Sequence, residues 1–163
     1  MAKLVIQRQA KKGQGGLDKL LAKMKEMAES SIETGYFKQQ GEHSSGIMYT
    51  DLMKIHEYGL FDNTPERPVR ELTLKENHQQ DWKFIQSEIK NIFYKDYDVD
   101  YSFDQIGKYY TEKARDIFGN VNDLTPNAPS TVQLKGFNSP LVDSGDLAMH
   151  WSWRIGEDGR IKT

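Results

Sequence analysis

The sequence contains no cysteine, which excludes a disulfide framework, a thiolate metal site and a cysteine nucleophile. It holds no run near the ~20 apolar residues that a membrane-spanning helix needs. Its basic first residues lead into no apolar stretch of a secretory signal. The expectation is a soluble chain that folds in a reducing cytoplasm, with no membrane partner. Histidine is scarce: His43, His56, His78 and His150 offer no pair three or four residues apart on one helix, the spacing a helical zinc site requires. His56-Glu57 begins like a zinc-protease helix, but Leu60 stands where the second histidine must be. No Gly-x-Ser-x-Gly elbow and no Gly-Lys-Ser or Gly-Lys-Thr phosphate loop occurs. Carboxylates are plentiful, yet none lies in a local apolar setting that would raise its pKa, so they read as solvated surface charge. The chain reads as a non-enzyme with no catalytic residue, no metal site and no cofactor.

What is present is aromatic bulk and a divided charge. The 163 residues suit one domain with one core. The hydrophobic fraction is only 37%, but three Trp, eight Tyr and seven Phe supply large apolar area. The net charge of −2 hides a split between the two ends: residues 1–25 carry seven basic groups against Asp18 alone, +6, and the rest carries 15 basic against 23 acidic groups, −8. Residues 1–16 read as a basic arm suited to an acidic neighbour or to phosphate.

Periodicity gives the elements. Residues 3–9 have the composition of a short strand, and Lys11 to Gly16 that of a flexible break. Leu17, Leu20, Leu21, Met24 and Met27 form a helical stripe expected to face the core. Residues 32–37 and 46–49 read as strands around a polar loop. A short helix capped by Thr50 or Asp51 should run through Leu52, Met53, Ile55 and His56 to Tyr58, ending at a left-handed Gly59. Pro68 opens a helix of about six turns through Val69, Leu72, Trp82, Ile85, Ile89, Ile92 and Phe93. Ser102 to Gln105 matches a capping box for a helix that buries Phe103, Ile106, Tyr110, Ala114 and Ile117. Three of the five prolines fall in 119–140, a stretch long enough to suggest a functional loop. Asp143 or Ser144 should cap a helical turn through Leu147, before a strand in which Trp151, Trp153 and Ile155 share a face. Residues 156–163 complete a hairpin arm. The expected class is α+β: a small antiparallel sheet of strands 32–37, 46–49, 151–155 and 160–163 packed on three longer helices, with long assembly loops at 38–48 and 119–140.

Two segments carry a resemblance. The first is Ile55-His56-Glu57-Tyr58-Gly59 followed by Pro65-Glu66-Arg67-Pro68. The second is Leu124-Thr125-Pro126, Ser130-Thr131 and Lys135-Gly136, leading to Pro140-Leu141-Val142-Asp143-Ser144-Gly145-Asp146-Leu147. In order and spacing, over roughly residues 15 to 156, the chain resembles the tail-completion or minor tail components of tailed bacteriophages. It departs from their pattern at Glu66, where a small residue is common, and at Val69, where Phe is frequent. The resemblance implies a virion structural protein of the neck, assembled in the host bacterial cytoplasm. It also implies a ring of identical subunits, six-fold in the particle, between the tail tube or tail terminator and the head connector or adaptor. DNA would pass through the lumen without specific binding. His56, Glu57, Gly59, Arg67, Pro68, Asp143, Gly145 and Leu147 are the motif residues. Lys11, Lys12, Phe37, Ile47, Tyr49, Leu134, Phe137, Trp151 and Trp153 are the expected subunit or partner contacts. The rival reading is a small DNA-binding accessory protein that uses the basic N-terminal region.

Overall fold

The computed structural model describes residues 4–75, 78–156 and 159–163, with side chains from residue 15 onward. It is a small α+β fold whose elements, in chain order, are α1 (Leu4–Glu29), β1 (Ile32–Gly35), α2 (Tyr49–Tyr58), α3 (Val69–Lys75), α4 (His78–Tyr94), α5 (Val99–Ile117), α6 (Pro129–Lys135), α7 (Asp146–His150) and β2 (Ser152–Ile155).

Helix α5 is the axis on which α1, α3, α4, α7 and both strands pack. It meets α3, α4 and both strands, and its buried positions include the small residues Ser102, Gly107, Thr111 and Ala114. Small side chains let neighbouring backbones come close. At Gly107 a Cβ would stand 2.3 Å from Trp153 Cδ1, so the indole of β2 lies directly on the helix. The strands are antiparallel, with Ile32 opposite Ile155 and Gly35 opposite Ser152. The core gathers Tyr49, Met53, Val69, Ala114, Ile117, Leu147 and Trp151. Between α4 and α5, Asp81 is buried and accepts hydrogen bonds from Tyr109 Oη and Lys113 Nζ, each at 2.8 Å.

Several sequence expectations are corrected. Residues 4–9 are not a strand and 11–16 are not a break, because both lie within α1. Good helix formers (Gln, Arg, Ala, Lys, Leu) fill that segment, and they outweigh glycines that cost about 1 kcal/mol each. The α1 stripe does not face the core. Leu17 and Leu21 are more than half exposed, as is Met24, and Leu20 is exposed too; only Met27 is partly covered. Periodicity identifies a face that needs covering, and here no described residue of the chain covers it.

Among the described residues the sheet has two strands rather than four. Tyr49 opens α2 instead of closing a strand, and Met48 makes an isolated bridge with Glu42. Gly41 and Gly46, both at positive φ, bend 41–48 into a turn in which the His43 amide donates to Ile47 O. At the other end 160–163 contributes one bridge, Lys162 with Trp153, anchored by Lys162 Nζ on Asp104 of α5 at 2.6 Å. Glu157 and Asp158 of the expected hairpin lie outside the described residues.

Ser102 is not a cap. It lies inside α5, fully buried, with no hydrogen-bond partner for its hydroxyl among the described residues. Burial of Val99 draws the start of the helix back to the residue after Asp98. The single helix expected from residue 69 onward is described as α3 and α4, with residues 76–77 outside the description. The segment 119–140 contains α6, which starts on Pro129 and stops at a left-handed Gly136. Neither Thr50 nor Asp51 caps α2, although Gly59 ends it in the left-handed form expected.

Candidate functional site

The two motif segments, more than 50 residues apart in sequence, meet in space, and Arg67 joins them. The Pro65–Pro68 bend cannot be helical, and it holds Arg67 with its amide donating to His56 O at 2.8 Å. The side chain is buried, and its fork reaches the second segment. Nε donates to Thr125 O at 2.9 Å, while Nη2 donates to Pro126 O at 3.3 Å and to Asn127 Oδ1 at 3.1 Å. Asn127 passes the link on to Ser139 O. Lys135 adds bonds to the carbonyls of Ser139 and Val142, which closes α6 onto the strand-ward chain. One guanidinium therefore satisfies carbonyls that an irregular loop would leave unpaired.

Glu57 works on the other side of the bend. Its buried carboxylate accepts the amides of Arg70 at 3.1 Å and Glu71 at 3.3 Å, so it caps α3 from a distance in sequence. Burial pushes the Glu57 carboxyl above its ordinary range, opposed by the Arg70 amide and guanidinium. Gly59 permits the tight return: φ is 59°, and a Cβ there would sit 2.9 Å from Thr64 O. Pro68 precedes α3 and its carbonyl accepts the Leu72 amide. His56 lies beside Arg67. Burial first and the guanidinium second depress its pKa, and its Nδ1 is buried with no partner among the described residues.

In the second segment Leu147 is core. Gly145 takes φ 85° before α7, and Ser144 Oγ, not Asp143, accepts the Asp146 amide. Asp143 is exposed and does not cap the helix. Asp146 instead gathers aromatic groups: Tyr49 Oη donates to Oδ2 at 2.5 Å, His150 Nδ1 lies 3.1 Å from Oδ1, and His43 Nε2 lies 3.6 Å from Oδ2. Tyr49 stacks on His150 at 4.2 Å, and burial with the Asp146 carboxylate pushes its hydroxyl up to about 12. A cavity of about 340 Å³ is lined by both segments, including His56, Arg67, Asn127, Lys135, Leu141 and Asp146. Its polar groups are mostly occupied in holding loops. Among the described residues no three His, Asp or Glu side chains converge as a metal site would require.

The expected contact residues divide. Phe37, Tyr49, Trp151 and Trp153 are buried within the subunit and are not available to a partner. Each is a large aromatic beside a helix end or sheet, where the fold's own core absorbs it. Ile47, Leu134 and Phe137 are exposed, Leu134 at 89%. The side chains of Lys11 and Lys12 lie outside the described residues. Sequence reasoning missed two kinds of residue. Glu57 and Asp81 are buried carboxylates where solvated charge was expected. Arg115 was not singled out, yet its guanidinium binds the carbonyls of Ala148, Met149 and Trp151 and so fixes the end of α7. Its position in the last turn of α5 is the sole sequence signal.

Compared with protein-family models, curated proteins and solved structures, the chain matches none.

Proposed function

We propose that this chain is a non-enzymatic structural subunit that works by assembling with copies of itself. The observation that carries the reading is the uncovered stripe of α1, where Leu17, Leu20, Leu21 and Met24 stand in solvent along one helix. Contiguous exposed apolar surface of this kind marks an interaction site. The motif residues support the same reading, since His56, Glu57, Arg67 and Leu147 are used in locking loops and core. The resemblance supplies the setting: the neck of a tailed bacteriophage, as a ring that completes the tail and meets the tail tube or terminator on one side and the head connector on the other. DNA would pass the lumen without being gripped, because tight phosphate contacts would stall its movement. The DNA-binding reading is weaker. Lys23 of the basic region is spent inside the subunit, donating to Ile92 O, Asp96 and Tyr97 O.

Sedimentation velocity across a concentration series tests the proposal. Higher-order species are expected to grow with concentration and to vanish in the Leu17→Glu, Leu21→Glu double variant, with its melting temperature unchanged. A wild-type chain that stays monomeric throughout, or a variant that assembles as well as the parent, would count against it.

A further inference from the structure

Among the described residues nothing pairs with the outer edge of β1, and the sheet register says which groups it presents. Trp153 exchanges both its backbone hydrogen bonds with Lys162, so its amide and carbonyl point away from β1. Thr34, its partner across the ladder, must then also point away from β2, and so must Ile32 opposite Ile155. The Gly156 amide donating to Ser31 O fixes the same alternation at the strand end. No other backbone group among the described residues bonds the amides or carbonyls of Ile32 and Thr34. The outer edge of β2, by contrast, is occupied by that Lys162 bridge.

This edge borders a cleft of about 770 Å³, walled on one side by the run 33–39 and on the other by α2 and the start of α3. Its floor includes Met53 and Trp151. The backbone at Gly35 takes φ 137°, and no atom lies within 4 Å of where a Cβ would be, so that face of the strand end is open. The cleft is basic. Lys38, Lys54, Arg70 and Arg154 face Glu33 and Glu57, four cations to two carboxylates. Glu33 is taken by Arg154 at 2.6 Å, and Glu57 is turned into the amides of α3. Lys38 is exposed; Arg70 is largely exposed, with Nε 3.9 Å from Glu57 and Nη2 donating to Tyr58 Oη at 2.9 Å; and Lys54 pairs with the exposed Asp51 on its own helix.

We propose that this cleft receives an extended, acidic segment of a partner protein, which adds to β1 as a third strand. Backbone bonds to Ile32 and Thr34 supply the pairing, and carboxylates at alternate positions meet Lys38, Lys54 and Arg70. The site is separate from the α1 stripe, so it stands or falls independently of self-assembly.

The probe is the synthetic peptide acetyl-Thr-Glu-Val-Glu-Val-Glu-Thr-amide, titrated at low salt into the full ¹⁵N-labelled chain, with hydrogen exchange read at each amide. Saturable binding is expected, together with exchange at Ile32 and Thr34 slowed by about tenfold or more. The Lys38→Glu, Lys54→Glu double variant should bind about tenfold more weakly with an unchanged melting temperature. A peptide with Lys in place of Glu should not bind. Absence of binding at millimolar peptide, binding that leaves Ile32 and Thr34 exchange unaltered, or equal affinity for the lysine peptide or for the double variant would each overturn the proposal.

Discussion

At the scale of single residues, the informative side chains are polar groups made to serve the backbone. Arg67 bonds two carbonyls and an amide oxygen of the 125–127 segment. Lysine is no substitute, because a point charge cannot reproduce a fork. Arg67→Lys is expected to lower unfolding free energy by about 1.5–3 kcal/mol in urea titrations. His56 sets a pH dependence. Its folded pKa lies below its ordinary 6.5 because burial and Arg67 both disfavour the imidazolium. The unfolded chain therefore takes up the proton first. Stability is held above pH 6.5 and declines as pH falls from there toward the folded pKa. Chemical denaturation across this window should show that slope, and His56→Gln should flatten it. Glycine matters most at Gly107, where Gly107→Ala would drive a methyl into the Trp153 ring. A loss of about 1–3 kcal/mol is expected in thermal or urea unfolding, despite the better helix propensity of alanine.

At the scale of elements, helices are joined by charge as much as by apolar contact. Asp81 ties α4 to α5 through Tyr109 and Lys113, and burial together with Asp81 pushes the Tyr109 hydroxyl up to about 12. Asp81→Ala would remove the buried carboxylate that accepts from both Tyr109 and Lys113. Denaturation should report a loss of about 3–5 kcal/mol, the range for removing one partner of a buried pair. Helix α1 is attached differently, by Lys19 and Lys23 on Asp96 beyond the end of α4. Hydrogen bonds from these two lysines hold the Asp96 carboxyl down at about 2. Because the folded value lies below the ordinary 3.8, this attachment is intact above pH 3.8 and is lost as pH falls from 3.8 toward 2. NMR of the α1 amides should show accelerated exchange over that interval. Asp96 is exposed, so high salt should weaken the link at neutral pH as well.

At the scale of the whole molecule, what was legible in the sequence was local. Gly59 as a left-handed stop, the helical pattern from Val69 to Phe93, strand character within 32–37 and 151–155 and the α+β class all follow from periodicity and turn chemistry in short windows. The meeting of the two motif segments at Arg67 was not legible, since its partners lie 58 to 60 residues away. Nor could burial be assigned: the stripe of α1 and the aromatic pair Trp151 and Trp153 look equally apolar in sequence, yet the first is exposed and the second is core. A hydrophobic pattern records that a face must leave water without recording whether the chain itself or a neighbour will cover it. Self-assembly is the expectation for the uncovered stripe, and cross-linking from cysteines introduced one at a time at Leu17 and Leu21 should capture a second subunit before any other site does. Composition and spacing alone determined the helices through residues 17–27, 52–58, 69–93 and 103–117, strands within 32–37 and 151–155, and the absence of any thiol chemistry. The tertiary structure decided which carboxylates are buried, which helix is central and which strand edge stays open, because those depend on contacts between residues that no local window contains.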